Sequence, residues 1–288
     1  MKNNKIQVEI LVFSLENHLE NNHIICYNKK ETGGYMKALI TGATSGIGLD
    51  MAKYLSTKKI ELILVARNKE KLEEIQEQLP TKVTIIVADL SNEQRVKELY
   101  IIAKKENIDI LINNAGLGDF GYLTDTDINK DIELINTNIK AVHILTKYIV
   151  KDMESRNTES YILNVSSAAA FQPGPLMSTY YATKSYVYHL TEALYYEEKK
   201  KKTNVHVSVL CPGPVQTNFN NVAGVEFAVK PLSSKYVARY AVDQMFKKKL
   251  LIIPGFKMKL SKFFIRFLSD KFLLKITYNI QKRKKASQ

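Results

Sequence analysis

A tyrosine and a lysine in the second half of the chain have a spacing that suits acid–base chemistry. Tyr180 and Lys184 stand four residues apart in the segment YYATK, so in a helix they share one face. The phenol of a tyrosine can give or take a proton, and a neighbouring ammonium favours its ionised form. Tyr181 has Ser185 four positions on and points about 100° away around the helix. We therefore expect Lys184 to lower the pKa of Tyr180.

A glycine-rich segment near residue 45 has the pattern of a phosphate-binding turn. The sequence TGATSGIG spans residues 41–48, between a short apolar strand and the start of a helix. Gly42 permits a tight turn, Gly46 lets a ligand approach the backbone, and Gly48 lets the helix pack closely on the strand. Because a helix N-terminus attracts phosphate groups, the segment predicts a site for the pyrophosphate of a dinucleotide.

The residues after the second predicted strand indicate which dinucleotide binds. An acid here would hold a ribose 2′-hydroxyl, but the segment is Ala66-Arg67-Asn68. A guanidinium forms forked, charge-assisted hydrogen bonds with a 2′-phosphate, whereas a carboxylate would repel that group. Arg67 therefore favours NADP(H) over NAD(H). The alternative is a surface arginine without this role.

A regular alternation of strands and helices must position these segments. The predicted strands, rich in β-branched residues, are Ala38–Thr41, Glu61–Ala66, Val83–Ala88, Ile108–Ile112, Tyr161–Val165, Val205–Leu210 and Leu250–Ile253. The predicted helices are one that ends near Thr57, then Lys69–Gln78, Glu93–Glu106, Asp131–Met153, Thr179–Lys200 and Ser234–Phe246. Such alternation predicts a parallel sheet covered on both faces. We expect residues 36–256 to form one doubly wound α/β domain.

Composition narrows the classes of function. The chain has 288 residues, of which 45% are hydrophobic and 25% charged, as in ordinary globular proteins. Its two cysteines and five histidines lack metal-ligand spacing, so we expect no metal site and a reducing, cytoplasmic setting. The net charge of +13 is concentrated in residues 257–285, which hold ten Lys or Arg and one acid. No nucleic-acid-binding motif accompanies this excess, so we expect no nucleic-acid partner.

Five motifs in a fixed order point to a known family. TGATSGIG is followed by Asp89-Leu90, by NNAG at 113–116, by a serine with the YxxxK pattern, and by Pro212-Gly213. With these motifs, residues 36–256 strongly resemble the short-chain dehydrogenase/reductase family in its single-domain form. The resemblance implies a Rossmann-type fold and an oxidoreductase that uses a nicotinamide cofactor.

The resemblance also implies a role for each motif residue. Tyr180 would be the general acid that protonates a substrate carbonyl, and Lys184 would also hold the nicotinamide ribose. Ser167 would orient the carbonyl oxygen. Asn138, with Asn136 as its competitor, would link a proton relay to the lysine. The implied nucleotide site comprises Gly42, Thr44, Ser45, Gly46, Ile47, Gly48, Arg67, Asn68, Asp89, Leu90, Asn114, Ala115, Gly116, Tyr180, Lys184, Pro212, Gly213, Val215 and Thr217.

The expected reaction is NADP(H)-dependent reduction of a ketone or aldehyde to an alcohol, or the reverse. The loop 216–231 is expected to form a substrate lid, and its apolar members indicate an apolar or lipid-like substrate: Phe219, Val222, Val225, Phe227 and Val229. One alternative is an NAD-dependent enzyme like the sugar epimerases, which the missing acid after the second strand disfavours. Another is a non-catalytic nucleotide sensor or scaffold, which the complete set of Ser167, Tyr180 and Lys184 disfavours.

Residues 257–288 are expected to form a basic amphipathic tail. Apolar residues recur every four positions from Leu260 to Ile280, opposite lysine and arginine side chains. Ser269-Asp270 can cap a fresh helix, so we expect one bent helix or two short ones. One interpretation is peripheral contact with the inner face of an anionic membrane. The others are packing, either on the domain or on a second subunit of a homo-oligomer, and a solvated tail.

The first 35 residues differ from the rest of the chain. They are rich in Asn and Lys, and Glu9 interrupts their one apolar stretch, Ile6–Leu15. Gly33-Gly34 can be encoded by a ribosome-binding sequence, GGAGGN, one codon before Met36. Our hypothesis is that Met36 is the true start and that residues 1–35 are a non-native extension. The alternative is a genuine disordered or edge-pairing extension.

Overall fold

Runs of apolar and β-branched residues form one eight-stranded sheet. The computed structural model describes residues 26–27, 36–217, 219 and 231–285. The strands are β1 (Cys26–Tyr27), β2 (Lys37–Thr41), β3 (Glu61–Ala66), β4 (Val83–Val87), β5 (Ile110–Asn113), β6 (Ser160–Val165), β7 (Val205–Leu210), β8 (Val215–Gln216), β9 (Leu232–Ser233) and β10 (Leu251–Ile252). The sheet order is β1-β4-β3-β2-β5-β6-β7-β10, with β1 antiparallel and the others parallel. A separate parallel pair joins β8 to β9.

Helices cover both faces of this sheet. They are α1 (Gly46–Thr57), α2 (Lys69–Gln78), α3 (Glu93–Lys105), α4 (Ile128–Ile135), α5 (Val142–Arg156), α6 (Ser178–Lys201), α7 (Ser234–Phe246), α8 (Phe256–Ile265) and α9 (Asp270–Lys285). The predicted bounds of the strand Glu61–Ala66 and the helix Ser234–Phe246 match the structure. The expectation of a doubly wound α/β domain followed by a helical tail is confirmed.

Alternation along the central strands builds a core on each face of the sheet. All six residues of β3 are buried. Leu62 and Leu64 belong to one apolar cluster, whereas Ile63 and Val65 belong to a second one on the other side. Successive side chains of a strand point to opposite faces, so a strand covered on both sides needs apolar residues at every position. This explains the uninterrupted run ELILVA.

Polar side chains tie the carboxyl ends of β5 and β6 to the helices beneath them. Asn113 Nδ2 donates to Asn164 Oδ1 at 2.8 Å and to Thr146 Oγ1 of α5 at 3.0 Å. Asn164 Nδ2 in turn donates to Thr191 Oγ1 of α6 at 3.0 Å. All four residues are buried. Since buried amides are costly without partners, this network fixes how α5 and α6 sit on the sheet.

One predicted helix differs from the observed one. The expected helix Asp131–Met153 begins earlier, at Ile128, and a π-helical segment from Asn136 to Ala141 divides it into α4 and α5. A single π-turn inside a continuous helix is shorter than the window over which helical periodicity is read, so the apolar pattern does not reveal it. The fourth predicted strand, Ile108–Ile112, is also displaced and runs from Ile110 to Asn113.

Three expectations concern the ends and the lid. Most of the 1–35 extension lies outside the described residues; Cys26–Tyr27 pairs with β4 at the sheet edge, and a start at Met36 stays a prediction. Most of the lid, including Val222, Val225, Phe227 and Val229, also lies outside them.

The tail forms two helices, α8 and α9, which is one of the two arrangements expected from the sequence. Among the helices that the structure describes, none is long and apolar enough to cross a membrane.

Candidate active site

The strand order places a cleft where β2 and β5 lie side by side. The chain winds from β2 toward β4 in one direction and from β5 toward β10 in the other, so the connections diverge here. Ligands of open α/β sheets bind at such a point, outside the carboxyl ends of the strands. A cavity of about 730 Å³ opens there. Every predicted nucleotide-site residue lines it except Gly48, and so do Ser167, Tyr180 and Lys184.

The glycine-rich segment turns sharply from β2 into α1. Gly42 and Gly46 have φ angles of +65° and +54°, a region that side chains disfavour. A Cβ at Gly42 would also lie 2.9 Å from the Ala115 Cα atom. The residue that precedes α1, Ser45, makes no capping hydrogen bond with its side chain, so the first amides of this described helix remain available to an anion.

Asn114 holds this turn against the end of β5. Its Nδ2 donates to the carbonyl oxygens of Thr41 at 3.0 Å and Gly42 at 3.1 Å. In return, Thr41 Oγ1 accepts from the backbone amides of Asn114 and Ala115, both at 3.0 Å. A Cβ at Gly48 would lie 2.4 Å from Asn114 Nδ2. Gly48 is therefore a packing residue that lets α1 approach Asn114, which accounts for its absence from the cavity wall.

Arg67 lies at the far end of the cavity from the tyrosine, after β3. Its Nη1 is 3.1 Å from Oε1 of Glu133, and both side chains are largely exposed. An exposed ion pair of this kind contributes only about 0–1 kcal/mol, so a phosphate can compete for the guanidinium. Sequence spacing gave no sign of Glu133 because it comes from α4, more than sixty residues away along the chain.

The neighbouring predicted residues cap local structure. Asn68 Oδ1 accepts from the Lys71 amide at 2.6 Å and starts α2. Asp89 Oδ1 accepts from the amide and the hydroxyl of Ser91, each at 2.9 Å. Leu90 is buried beneath them. These contacts fix the wall of the cavity on the Arg67 side and leave its surface open to a ligand.

Ser167, Tyr180 and Lys184 meet at the other end. Ser167 follows β6, and its hydroxyl, which accepts from the Ala169 amide at 3.1 Å, lies near enough to the Tyr180 phenol to act on its pKa. Lys184 is buried one helical turn beyond Tyr180, and its Nζ donates to the Val165 carbonyl at 3.0 Å. That Nζ lies 5.8 Å from the centroid of the Tyr180 ring. Ser166 instead donates to the Lys184 carbonyl at 2.7 Å and fixes α6 on β6.

Burial dominates the electrostatics of this end. It raises the pKa of Tyr180 to about 12, with the Ser167 hydrogen bond acting in the opposite direction. It lowers the pKa of Lys184 to about 8. The expected lowering of the Tyr180 pKa by Lys184 is wrong for this arrangement, because the cost of a buried phenolate exceeds any help from the ammonium. Tyr180 is therefore fully protonated at neutral pH, as a proton donor must be.

Asn138 lies directly behind the cavity wall, in the π-helical segment. Its Oδ1 accepts from the Leu117 amide at 2.8 Å, and its Nδ2 donates to the Leu117 carbonyl at 2.9 Å and to Thr183 Oγ1 at 3.1 Å. A Cβ at Gly116 would lie 3.2 Å from Lys184 Nζ and 3.3 Å from Asn138 Oδ1. The absence of a side chain at Gly116 thus lets Lys184 and Asn138 approach each other. Asn136, the competitor, is less buried.

The segment after β7 closes the cavity between its two ends. The Pro212 carbonyl accepts from the Ala168 amide at 2.8 Å, beside Ser167. Thr217 packs on the glycine turn so closely that a Cβ at Gly46 would lie 2.8 Å from its Cγ2. Cys211 is fully buried, and burial raises the pKa of its thiol to about 12, which suits a core residue rather than a nucleophile. Among the described residues, no group of His, Cys, Asp or Glu could hold a metal ion.

A sequence model of the short chain dehydrogenase family matches residues 36–225. The chain belongs to this family. Family members are oxidoreductases that act on CH–OH or C=O groups and bind NAD or NADP. The resemblance stated from the motifs is confirmed.

Known proteins similar to this short-chain dehydrogenase include one of unknown substrate. An uncharacterized oxidoreductase of Staphylococcus epidermidis is 32% identical over 217 residues, which cover 72% of this chain and 90% of that protein. A very-long-chain 3-oxoacyl-CoA reductase of Anas platyrhynchos is 35% identical over 210 residues, 69% of this chain and 66% of the other. A solved short-chain dehydrogenase from Sphingobium yanoikuyae, in complex with NADPH, has a TM-score of 0.73 and 26% identity, with 81% and 92% of the two chains covered.

Two further parts of the dehydrogenase line the cavity and were missed from the sequence. Tyr181, set aside because it lacks a lysine at the fourth position, faces the cavity beside Tyr180, with their ring centroids 6.1 Å apart. The tail helices cover the same region through Met258, Ser261, Ile265, Thr277, Ile280 and Gln281. The sequence alternative of a tail packed on its own domain therefore holds for this inner face. Two polar residues four apart, Thr277 and Gln281, were the available signal.

Replacing Lys184 with methionine is expected to stabilise the dehydrogenase at neutral pH. The folded-state pKa of about 8 lies below the ordinary 10.5, so the unfolded chain binds the extra proton and stability falls as pH drops from 10.5 to 8. The shift corresponds to about 3 kcal/mol, less about 1 kcal/mol for the lost hydrogen bond. Urea unfolding should show Lys184→Met about 2 kcal/mol more stable at neutral pH, with this advantage shrinking as pH rises and turning into a deficit of about 1 kcal/mol above pH 10.5, where only the lost hydrogen bond remains.

Lys147→Met, at an exposed lysine, is the control and should change little. A Lys184→Met protein that is less stable than the wild type at neutral pH, or a difference that does not vary with pH, would show that burial does not penalise this ammonium.

Proposed function

We propose that this dehydrogenase catalyses the NADP(H)-dependent reduction of an apolar ketone or aldehyde to an alcohol. The observation that carries the proposal is the meeting of Ser167, Tyr180 and Lys184 at one end of a cavity. The other end of that cavity has the uncapped N-terminus of α1 and the Arg67 guanidinium. The proton donor and the proposed dinucleotide site therefore share one cavity.

The residues present fit a nicotinamide dinucleotide. Gly42 and Gly46 leave the backbone of the turn bare, and a side chain at either would meet Ala115 or Thr217. We assign the pyrophosphate to this turn, the adenosine to the wall formed by Arg67, Asn68, Asp89 and Leu90, and the nicotinamide to the segment from Pro212 to Thr217. When bound, the cofactor supplies the hydride for carbonyl reduction.

The chain's own residues do the proton chemistry in this proposal. Ser167 orients the carbonyl oxygen by hydrogen bonding. Tyr180, which is protonated at neutral pH and whose pKa burial raises to about 12, donates the proton to that oxygen. Lys184, close to Asn138 across Gly116, stabilises the phenolate that remains. Asn138 holds the Leu117 backbone and thereby the wall behind the lysine.

An apolar substrate follows from the cavity wall around the tyrosine. Its members there are mainly apolar or aromatic: Phe171, Met177, Tyr181, Phe219, Met258 and Ile265. Among the described residues that line the cavity, Arg67 and Lys184 are the cations, and both have other roles. The similarity to a very-long-chain 3-oxoacyl-CoA reductase supports a substrate with a long hydrocarbon chain. A sugar epimerase would need a polar cavity. A non-catalytic scaffold would have no use for a proton donor.

Tyr180→Phe is expected to abolish reduction while cofactor binding survives. Loss of a general acid costs about 10²–10⁴-fold in rate, and phenylalanine keeps the ring packing. NADPH consumption with a panel of apolar ketones and aldehydes measures the rate, and quenching of NADPH fluorescence measures binding. Tyr186→Phe, an exposed tyrosine of the same helix, is the control. Undiminished turnover by Tyr180→Phe would refute the mechanism.

Arg67→Ala is expected to weaken NADPH binding about tenfold and to leave NADH binding nearly unchanged, because only NADPH offers a charged group to the guanidinium. Glu133→Gln should act in the opposite direction, since it removes the carboxylate that competes for Arg67. Dissociation constants from fluorescence titration decide this, with Arg239→Ala as an exposed control. Tighter binding of NADH than of NADPH by the wild type would end the NADP assignment.

We further propose that the outer surface of the tail rests on an anionic membrane. The tail has an exposed aromatic face, and each of its residues is between 53% and 77% exposed: Phe256, Phe263, Phe264, Phe267 and Phe272. Exposed Lys257, Lys271 and Lys275 lie on the same two helices. Aromatic side chains among cations suit the interface of an anionic bilayer. A substrate dissolved in that bilayer would reach the enzyme at the tail helices, which cover the cavity.

The double variant Phe263→Ser/Phe267→Ser is expected to lose most of its binding to anionic vesicles, because it removes the two central aromatic anchors. Co-sedimentation with vesicles of phosphatidylserine and phosphatidylcholine measures this, and raised salt should weaken wild-type binding. Tyr196→Ser, at an exposed aromatic residue elsewhere, is the control. Equal sedimentation of wild type and double variant, or a variant that changes only from oligomer to monomer, would assign the aromatic face to self-association instead.

A further inference from the structure

The inner surface of α9 presents two buried polar side chains to the cavity. Thr277 and Gln281 lie one helical turn apart, and each is only 1% exposed. Thr277 Oγ1 donates to the Leu273 carbonyl at 2.9 Å and accepts from Gln172 Nε2 at 3.0 Å, so its hydrogen-bonding needs are met. The Gln172–Thr277 bond and the Tyr122–Tyr278 hydroxyl pair at 2.9 Å hold α9 over the cavity.

Gln281 differs from Thr277 because only one of the two polar atoms of its amide has a hydrogen bond. Its Nε2 donates to the Tyr181 hydroxyl, whereas its Oε1 is buried and has no partner within the described part of the chain. A buried carbonyl oxygen without a hydrogen bond is destabilising, and such groups are rare in folded proteins. The residue lines the cavity. A ligand in the cavity is one partner that its position allows.

Tyr181 fixes the amide relative to the proton donor. The Tyr181 ring packs against Gly174, where a Cβ would lie 2.2 Å from the ring. Its hydroxyl receives the Gln281 amide, and its ring centroid lies 6.1 Å from that of Tyr180. Apolar side chains such as Met177 and Phe219 line the same part of the cavity. A molecule held at Tyr180 therefore meets a mainly apolar wall; among the described residues that line it, Gln281 Oε1 is the buried side-chain acceptor without a hydrogen bond.

We propose that Gln281 is a substrate-recognition residue: its side-chain oxygen accepts a hydrogen bond from a hydroxyl or amide N–H group that the substrate carries apart from its reacting carbonyl. The substrate class is thus an apolar ketone or aldehyde with a second group that donates a hydrogen bond. This inference rests on the proposed carbonyl reduction. It assigns to the tail helix a role in choosing the substrate that the membrane-facing surface does not provide.

The physical basis is the asymmetry of hydrogen-bond recognition. A site with a buried acceptor discriminates strongly against a ligand that cannot satisfy it, whereas an apolar pocket discriminates weakly between analogues of similar size. Wild-type enzyme should therefore prefer a ketone with a donor at the right distance over an isosteric ketone without one.

The test compares matched ketones in wild type and in Gln281→Met, which keeps the length of the side chain and removes the amide. The probes are three series of straight-chain methyl ketones of graded length, with a terminal hydroxyl, a terminal N-methylamide or a terminal methyl ether. NADPH consumption gives kcat/KM for each. At the best chain length, the hydroxyl or the amide ketone should exceed the ether ketone by about tenfold in wild type. In Gln281→Met that ratio should fall to about one.

The ratio is measured within one preparation, so it does not depend on the fraction of variant that folds. Tyr278→Phe is the matched control, because it removes a hydroxyl that anchors the same helix outside the cavity wall, and its ratio should equal that of wild type. Hydroxyl, amide and ether ketones reduced equally well by wild type, a preference for the ether, or an unchanged ratio in Gln281→Met would overturn the proposal. Reduction of none of the probes, while NADPH binds, would count against the proposed carbonyl reduction itself.

Discussion

The contact between Asn114 and the glycine turn is the constraint on which the whole site depends. Parallel strands bring all their carboxyl ends to one edge of the sheet, and the change of winding direction between β2 and β5 opens a cleft at that edge. Asn114 closes its base by donating to Thr41 and Gly42, while Thr41 accepts from the amides of Asn114 and Ala115. The turn, α1 and the wall at Gly116 are thus set by one pair of strand ends.

Burial, more than charge pairing, sets the chemistry at the other end of the cavity. It raises the pKa of Tyr180 and lowers the pKa of Lys184. The backbone carbonyl of Val165 is the acceptor for that ammonium. A buried cation destabilises the free protein, and a ligand that interacts favourably with the cation can offset this cost on binding. The polar network from Asn113 to Thr191 lies below and holds the helices that carry both groups.

The fold, and the position of most predicted site residues around one cavity, followed from the sequence because they depend on local patterns. Strand and helix periods gave the order of elements, and the spacing of glycines gave the turn. The π-helical segment around Asn138 did not follow, since its six residues are fewer than the window over which helical periodicity is read. The Arg67–Glu133 pair and the direction of the Tyr180 pKa also did not follow. Both depend on contacts and burial that only the tertiary structure defines.

The tail shows why an amphipathic pattern does not by itself identify what a helix contacts. Its apolar residues occupy more than one stripe, and the structure divides them between an inner surface with Met258 and Ile265 and the outer aromatic face. The inner surface also carries Thr277 and Gln281, whose spacing of four keeps them on one side of α9. Gln281 and Phe272 of the aromatic face belong to the same helix, nine residues or about 14 Å apart along its axis, so membrane contact and substrate choice would act through the same two helices.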